Sequence, residues 1–404
     1  MKILMLSTDQ NIFKSGSEVQ RRMIEYGGLC EELHIVVYSK RPTTNDQRPI
    51  MISKNVWAYA TNTRFKPFYF WDAYRVACSI LRKSDFHREV GLPKDWLITS
   101  QDVFETGLVG YWLGRKFVLP FQIQIHTDFL SPHFWRESFK NKIRVLLGKW
   151  LVKKALRPPA DESRQAVCLR VVSERIKDSL TTLYPALSYM IAVLPIFVDV
   201  ERIKSAPIKT DLHKKYPGHD FIILMASRLT REKNIPMAIK AIAEIKRQSP
   251  ACRQAGTSDK RQVLLLVVGD GPEKNNLRLT TNNLQLEQNV KFEEWTDALA
   301  SYYKTADVFL NTSDYEGYGR TIIEALAVGC PVISTDVGIA PEFIKSEKFG
   351  KLIKPNDLRG LIGVLKEAIE GKYRRFEGLA LSESKNDYLK RYKQALECVP
   401  VAKS

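Results

Sequence analysis

The sequence EGYGRTIIEALAVGCPVIST occupies residues 316–335 and decides the fold. It begins in a glycine-rich loop, continues as a run with apolar residues at helical spacing, and ends in a short β-rich segment, Pro331–Ser334. A loop, a helix and a buried strand in this order form one repeat of a parallel α/β sheet. The same alternation is therefore predicted to extend from here along the whole chain.

Short apolar runs predict the strands, and longer helical stretches separate them. In the first half they are Lys2–Leu6, His34–Tyr38, Val56–Ala60, Trp96–Thr99, Phe121–Ile125, Val167–Val171 and Ile191–Leu194. In the second half they are Phe221–Met225, Val263–Val268, Val290–Phe292, Val308–Leu310, Pro331–Ser334 and Lys351–Ile353. Each half starts a new series, so the predicted fold class is α/β with two parallel-sheet domains.

The domain boundary is placed near Val198–Ala206, where Pro, Asp and Lys replace a strong pattern. Residues 1–198 are expected to form the first domain and residues 206–380 the second. A C-terminal helix within residues 381–404 is expected to pack back on the first domain. Two polar segments, Arg157–Arg164 and Ser249–Gln262, interrupt the alternation and are interpreted as surface loop insertions.

Composition excludes several classes of protein. A chain of 404 residues, 44% of them hydrophobic, is long enough for two to three domains with real cores, which excludes a disordered or fibrous protein. The net charge of +17 favours phosphates, nucleic acid or an anionic membrane as partners.

The cysteines and the apolar runs indicate the compartment. The six cysteines are widely spaced without a C-x-x-C pair, which argues against a disulfide scaffold and a zinc knuckle. No apolar run reaches the roughly 20 residues of a spanning helix, and the N-terminal MKILMLS is interpreted as a first strand instead of a signal peptide. These features predict a cytoplasmic protein.

Two candidate residues lie in the first half. Gly16 precedes a helical run. A glycine lets the backbone approach a ligand, and the free amides at the start of the helix could bind an anion. The alternative is that Gly16 only forms a turn. His126 follows the strand Phe121–Ile125, at the edge where parallel sheets bind ligands. Three interpretations of His126 stay open: a hydrogen-bond donor to a substrate hydroxyl, a base near pH 7, or a structural histidine.

The second half carries a basic loop and a tight turn. Arg228 and Lys233 stand five positions apart after the strand Phe221–Met225, where a guanidinium and an ammonium can converge on a diphosphate; a merely solvated loop is the alternative. Gly269-Asp-Gly-Pro-Glu273 follows the strand Val263–Val268 and is interpreted as a turn lining a pocket. Lys274 stands where a dinucleotide fingerprint needs its third glycine, so NAD binding is not indicated.

The strongest feature is the pair Glu316 and Glu324. Two carboxylates there can accept hydrogen bonds from several hydroxyls, while the free amides around Gly319–Thr321 at the start of a helix suit an anion. One hydroxyl-rich, phosphate-bearing ligand satisfies both features.

Through this E-x7-E stretch, Glu316 to Glu324, the chain resembles the retaining glycosyltransferases of family 4. Supporting motifs are Arg228 with Lys233, the Gly-Asp-Gly-Pro turn, and Gly329–Gly338 (GCPVISTDVG), and the resemblance covers nearly the whole chain. It implies the GT-B fold, in which two Rossmann-like domains face each other across a cleft that holds a nucleotide sugar.

The resemblance also implies roles. Arg228 and Lys233 hold the donor diphosphate, Glu324 the nucleotide ribose, and Glu316 the hydroxyls of the transferred sugar. His126 faces the sugar, and Gly16 brings amides near the distal phosphate. The donor-binding set is completed by Tyr318, Gly319, Arg320 and Thr321.

Three positions depart from the family pattern. Ser15-Gly16 replaces a Gly-Gly pair, Arg320-Thr321 replaces an apolar pair, and Ile339 replaces a common glycine. The last two departures bear on the preference for sugar or base.

The implied reaction is the retaining transfer of a hexose from a UDP- or GDP-sugar to a lipid-linked or glycan acceptor hydroxyl. The departing phosphate assists in deprotonating the acceptor, and fixed cations stabilise the leaving group. No cofactor and no metal are expected, and the sequence lacks a D-x-D pair.

Two alternatives belong to other functional classes. One is a catalytically inactive protein of the same fold that binds a sugar nucleotide or glycan. The other, a nucleic-acid binder suggested by the charge, has no recognition motif in support, so no nucleic-acid partner is expected.

The segment His133–Arg157 suggests a further partner. Residues 136–157 carry one acid, Glu137, and eight basic residues: Arg136, Lys140, Lys142, Arg144, Lys149, Lys153, Lys154 and Arg157. On a helix, one face is shared by Phe139, Ile143, Leu146, Leu147 and Trp150. This face either meets an anionic membrane, on the inner face of the plasma membrane, or packs on the first domain's sheet while the charges are solvated. The two alternatives are compatible if the apolar face is buried and only the basic edge meets lipid.

Overall fold

The computed structural model describes residues 1–39, 49–61, 63, 68–83, 95–155, 167–248, 262–379 and 383–397. The chain divides into two compact units. Unit 1 comprises Met1–Leu130, Ser138–Pro195 and Ser384–Ser404, and unit 2 comprises Ser131–Glu137 and Ile196–Glu383. Each unit contains a parallel sheet flanked by helices, which confirms the predicted fold class.

The described strands form two sheets. In chain order they are β1 Lys2–Ser7, β2 Glu32–Val37, β3 Ile50–Ser53, β4 Val56–Ala60, β5 Trp96–Ser100, β6 Phe121–Ile125, β7 Val167–Val171, β8 Ile191–Val193, β9 Phe221–Ala226, β10 Val263–Val268, β11 Val290–Glu293, β12 Val308–Asn311, β13 Val332–Thr335 and β14 Gly350–Ile353. The sheet of unit 1 has the order β3-β4-β2-β1-β5-β6-β7-β8, and that of unit 2 the order β11-β10-β9-β12-β13-β14.

The described helices connect these strands. In chain order they are α1 Glu18–Gly27, α2 Tyr69–Lys83, α3 Glu105–Phe117, α4 Pro132–Glu137, α5 Phe139–Ala155, α6 Glu174–Leu183, α7 Val200–Ser205, α8 Leu212–Lys215, α9 Ile235–Gln248, α10 Lys274–Asn283, α11 Leu299–Thr305, α12 Arg320–Ala327, α13 Ala340–Phe343, α14 Leu358–Ile369 and α15 Lys385–Glu397. None of the helices within the described ranges is long and apolar enough to cross a membrane.

Burial explains which strands were predictable. The residues of β9 and β10 are all buried, as expected for parallel strands covered on both faces. Every predicted strand is observed within a residue or two of its expected bounds. The unpredicted strand is β3, which pairs antiparallel with β4 at the sheet edge and exposes Ile50 and Met51. Its residues are exposed or half-buried, unlike those of the central strands, because an edge strand has a neighbour on one side only.

Helix α5 has two apolar faces. Val145, Leu151 and Val152 are buried, and Gly148 packs so closely on Phe129 that a Cβ there would lie 2.7 Å from the ring. Four of the five residues of the face expected to pack on the sheet are instead exposed: Phe139, Ile143, Leu146 and Trp150 are each 41–75% exposed, and the fifth, Leu147, is half-buried. The packing alternative for that face is therefore wrong, because the opposite face forms the core contact.

Helix α15 packs within unit 1 although it follows unit 2 in the chain. Its Tyr392 stacks on Tyr26 of α1 with ring centroids 4.0 Å apart. Gln122 of β6 donates a 2.5 Å hydrogen bond to the carbonyl of Ala395. The insertions predicted at 157–164 and 249–262 lie outside the described residues, except for Gln262.

Candidate functional site

The first part of the site lies where β9 ends in unit 2. The chain leaves β9 through Ser227 and a short 3-10 turn, Arg231–Lys233, before α9 begins. Lys233 Nζ lies 2.5 Å from Glu316 Oε1, and both side chains are mostly buried, at 13% and 16% exposure. Ser313 Oγ lies 2.9 Å from the same carboxylate oxygen. The structure therefore joins the residue implied for the diphosphate to the residue implied for the sugar hydroxyls.

Arg228 lies on the same loop but has a different partner. Its side chain is 78% exposed and its Nη2 is 3.4 Å from Glu232 Oε1. Thr230 Oγ1 donates a 2.6 Å hydrogen bond to that oxygen, which holds the Glu232 carboxylate in place. Arg228 is thus an exposed cation with one long contact to an acid, whereas Lys233 is a mostly buried cation in a short ion pair.

Glu324 is the fifth residue of α12 and is only 7% exposed. Its Oε1 accepts a 2.6 Å hydrogen bond from Arg320 Nε, and its Oε2 accepts a 3.0 Å bond from the buried hydroxyl of Tyr303. Burial, reinforced by the Glu324 charge, raises the pKa of Tyr303 well above its usual value. The carboxylate is consequently held from both sides in one orientation, with Tyr303 as a fixed donor.

The loop between β12 and α12 is fixed by close backbone contacts. Gly319, at φ +98°, precedes α12, and Tyr318 before it is buried. Ile339 N–H donates a 2.8 Å hydrogen bond to the Tyr318 carbonyl. Gly338, at φ +53°, lies so close that a Cβ would overlap that carbonyl oxygen. The Gly329–Gly338 motif therefore supports the Glu316 loop, and a side chain at position 338 would displace it.

The Gly269–Glu273 turn is joined to the basic loop. A Cβ on Gly269 would overlap the carbonyl oxygen of Ser227. Leu229 N–H donates to the carbonyl of Asp270 at 2.9 Å, and its own carbonyl accepts from Glu273 N–H at 3.0 Å. These contacts fix the loop that carries Arg228 and Lys233 against the end of β10.

Helix α4 contributes contacts that the sequence did not predict. Tyr315, next to Glu316, donates a 2.6 Å hydrogen bond to Glu137 Oε2, and its ring meets Phe134 edge-on at 5.4 Å. Burial and the Glu137 charge raise the pKa of Tyr315, so it stays a protonated donor. The only sequence signal for the contact between Tyr315 and Glu137 is that Glu137 is the one acid in residues 136–157, among eight basic residues.

His126 lies in a polar network of unit 1. Its Nε2 is 3.2 Å from Gln124 Oε1, which also accepts a 2.9 Å hydrogen bond from the buried Arg170. Because an amide oxygen only accepts, Nε2 of His126 carries the proton and Nδ1 is an acceptor. Burial, with the nearby guanidinium groups of Arg170 and Arg22, lowers the pKa of His126 to about 3. The imidazole is neutral and weakly basic, so the geometry does not support the alternative of a base titrating near pH 7.

Gly16 also lies in unit 1. It has φ +72°, and the next residue, Ser17, caps α1 by accepting a hydrogen bond from Gln20 N–H. The amide of Gly16 donates to the Gln20 side chain at 2.9 Å. That amide is therefore engaged within the loop and would have to exchange partners to bind a phosphate.

The chemistry available in unit 2 is recognition of anions and hydroxyls. Lys233 retains further N–H donors beside its bond to Glu316. Arg320 begins α12 and Thr321, half-buried, follows it, so both lie where a helix presents unpaired amides. Across the parts of the chain that the structure describes, no group of three or more His, Cys, Asp or Glu is arranged to hold a metal ion.

Comparisons with known proteins show which family and which fold the chain resembles. The family model described as "Glycosyl transferases group 1" matches residues 209–382. The alpha-monoglucosyldiacylglycerol synthase of Streptococcus pneumoniae is 28% identical over 66% of this chain and 58% of its own length. The UDP-Gal:alpha-D-GlcNAc-diphosphoundecaprenol alpha-1,3-galactosyltransferase of Escherichia coli is 27% identical over 66% of this chain and 65% of its own.

A solved structure extends the likeness of fold to the whole chain. Sucrose-phosphate synthase of Thermosynechococcus elongatus superposes with a TM-score of 0.70 at 18% identity, covering 99% of this chain and 94% of that one. The match to the two curated relatives, by contrast, spans less than two thirds of either one. Residues 209–382 thus match the glycosyl transferases group 1 family, and the likeness of the remaining chain to the solved structure is one of fold.

Proposed function

We propose that the protein is a retaining, metal-independent glycosyltransferase that moves a hexose from a UDP- or GDP-sugar to an acceptor hydroxyl. The observation that carries this proposal is the mostly buried ion pair of Lys233 with Glu316, which lies in the same group 1 domain as the oriented carboxylate of Glu324. A cation and two carboxylates suit one ligand that carries both a diphosphate and several hydroxyls.

Departure of the nucleoside diphosphate creates negative charge on its β-phosphate. Lys233 and the amides at the start of α12 are fixed positive groups that stabilise this charge without reorganising. Arg228 is exposed and adds its charge by turning toward the bound diphosphate. Such groups remove the need for a metal. Arg320, which also begins α12, adds a cation at the point where the family pattern has an apolar residue.

Glu316 acts in this mechanism as an acceptor for sugar hydroxyls and not as a nucleophile. Its carboxylate oxygen is already engaged by Lys233 and lies beside Ser313, which lowers its reactivity toward carbon. Retention then follows from same-face attack, with the departing phosphate taking the acceptor proton. Glu324 binds the ribose, and Tyr303 and Arg320 position its carboxylate.

His126 contributes a neutral imidazole to the transferred sugar. With its Nε2–H committed to Gln124, it offers Nδ1 as an acceptor to a sugar hydroxyl. This assigns His126 a binding role and keeps a positive charge away from the developing oxocarbenium-like centre.

The acceptor is proposed to be lipid-linked or a saccharide. The two curated relatives are named for a glycolipid and a diphosphoundecaprenol-linked sugar, which supports this class. We place the reaction in the cytoplasm, at the inner face of the plasma membrane, with residues 136–157 as the membrane contact.

A donor panel tests the proposal. The purified protein is incubated with UDP-glucose, UDP-galactose, UDP-N-acetylglucosamine and GDP-mannose, and release of UDP or GDP is measured with and without EDTA. We expect slow hydrolysis of at least one donor that EDTA leaves unchanged. Binding of a donor with no turnover, even with acceptor mixtures, would favour the inactive binding protein, and activity lost to EDTA and restored by Mg²⁺ would refute metal independence.

A further inference from the structure

We infer that the outer face of three neighbouring helices in unit 1, α2, α3 and α5, is a docking surface that inserts aromatic side chains into an anionic membrane. This surface is larger than the single basic helix proposed above. It adds the aromatic side chains of α2 and α3 to the apolar face of α5. The inference rests on the membrane contact of the proposed function and deepens it, but its test does not use glycosyl transfer, so a failure of one leaves the other to be judged by its own experiment.

The exposed face of α5 supplies the first part of the surface. Phe139, Ile143, Leu146 and Trp150 recur at helical spacing and are 75%, 54%, 60% and 41% exposed. They stand opposite the residues that form the core contact of α5. A contiguous apolar stripe of this size is unusual on a soluble protein and marks a binding surface.

Aromatic contacts continue the stripe across two more helices. Trp150 meets Tyr111 of α3 at 5.3 Å between ring centroids. The next residue, Trp112, stacks with Trp71 of α2 at 5.6 Å. Trp71 is 52% exposed, and Phe68, just before α2, is 55% exposed. Trp and Tyr are the residues preferred at a membrane–water interface, where an apolar ring meets a polar rim.

The charges on these helices identify the membrane as anionic. Helix α5 contains six basic residues and no acid: Lys140, Lys142, Arg144, Lys149, Lys153 and Lys154. Arg144 turns inward to bind Glu105 at 2.9 Å, and Lys154 lies over the Trp150 ring. Lys142, Lys149 and Lys153 make no ion pair with an acid in the described ranges, so they remain available for headgroups.

These charges argue against a second copy of the chain as the occupant. A two-fold interface would place the same patch opposite itself. The lysines of α5 would then face lysines with no acid on that helix to compensate them, which is costly at an interface. A bilayer rich in anionic lipid offers both an apolar interior and opposite charge.

A vesicle experiment with a matched control tests the surface. The variant Trp71→Ser/Leu146→Ser removes two exposed side chains from it, 52% and 60% exposed. The control Trp295→Ser/Leu279→Ser removes the same residue types from unit 2, where they are 54% and 60% exposed. Partition of each full-length protein onto phosphatidylcholine vesicles, with and without 30% phosphatidylglycerol, is measured by flotation at 0.1 and 0.5 M NaCl.

We expect the parent and the control to float with the anionic vesicles and to retain measurable binding at 0.5 M NaCl. The surface variant should bind about tenfold more weakly at both salt concentrations, because its loss is apolar. A second variant, Lys142→Gln/Lys149→Gln/Lys153→Gln, should lose on the order of a hundredfold at 0.1 M NaCl and little at 0.5 M.

Three results would overturn the inference. The first is that the parent does not bind anionic vesicles at 0.1 M NaCl. The second is that the surface variant and the control lose binding equally. The third is that light scattering shows the parent as a dimer and the surface variant as a monomer. Unfolding curves of the surface variant, its control and the lysine variant separate a binding defect from a folding defect.

Discussion

Lys233 and Glu316, 83 positions apart in the chain, form a mostly buried ion pair at 2.5 Å that joins the loop after β9 to the loop before α12. Each of the two charges is the main partner of the other. A nucleotide sugar that binds here must share the ammonium with Glu316, so the two residues act as one unit in turnover of the intact donor. Their substitutions are expected to be non-additive.

Replacing Lys233 by alanine is expected to reduce kcat/KM by about a hundredfold or more. The change removes a charge-assisted contact to the leaving group from a site that water reaches poorly. Steady-state kinetics with the best donor of the panel measure the effect. Arg231→Ala is the control, because Arg231 lies on the same 3-10 turn but is exposed. Kinetics of Lys233→Ala close to those of the parent would remove Lys233 from the mechanism.

Glu324→Gln and Glu316→Gln are expected to fail in different steps. Glu324→Gln should weaken binding of free UDP or GDP about tenfold or more, since a charged acceptor for the ribose is lost. Glu316→Gln should leave nucleoside diphosphate binding within a few-fold and lower kcat for the intact donor. Isothermal titration calorimetry and turnover assays separate the two. If both variants behave like the parent in both assays, the assignment of ribose and sugar contacts is wrong.

Tyr303→Phe tests the positioning of Glu324. The change removes the buried hydroxyl that donates to Glu324 Oε2, and we expect a loss of about 1–3 kcal/mol in the free energy of unfolding. Nucleoside diphosphate affinity should fall as well, because the carboxylate is then held only by Arg320. Urea unfolding and calorimetry give the two readouts. Tyr189→Phe, at a residue that is 82% exposed, should change neither. A loss of stability with unchanged affinity would reduce Tyr303 to a structural role.

His126 predicts a specific dependence of stability on pH. Its pKa is about 3 in the folded protein and close to 6.5 in the unfolded chain, so below pH 6.5 the unfolded state binds a proton that the folded state does not. Stability therefore falls as the pH drops from 6.5 toward 3, and His126 has no effect above that range. Relative to His126→Gln, the parent should lose about 1 kcal/mol or more between pH 6.5 and 5. Parallel denaturation curves for the two proteins would contradict the buried, neutral imidazole.

The parallel strands were predictable because both of their faces are buried. β9 and β10 read as unbroken apolar runs, and the Glu316–Glu324 stretch is recognisable because a glycine loop, a helix start and two carboxylates must be adjacent in sequence. Tyr303 was not predictable. It meets Glu324 only through folding, and its segment LASYYKT carries no chemical signal.

Helix α5 shows a limit of periodicity. The pattern correctly groups Phe139, Ile143, Leu146 and Trp150 on one face, but Val145, Leu151 and Val152 form a second apolar face. Which face enters the core depends on shape: Gly148 leaves room for the close approach of Phe129, which a larger side chain at that position would prevent. The sequence pattern predicts which residues share a helix face, but it does not predict which face packs in the core.

The order of the chain has a consequence for synthesis. Helix α15 covers the polar layer of unit 1, where Tyr392 contacts Tyr26 and Arg170, yet it is translated after residues 196–383 of unit 2. At 5–20 residues per second, a ribosome needs roughly 10–40 s to make that stretch. During this interval the ring of Tyr26 and the guanidinium of Arg170 in unit 1 lack the cover of α15. A premature stop codon that removes only α15 would therefore destabilise unit 1, most of which was synthesised first.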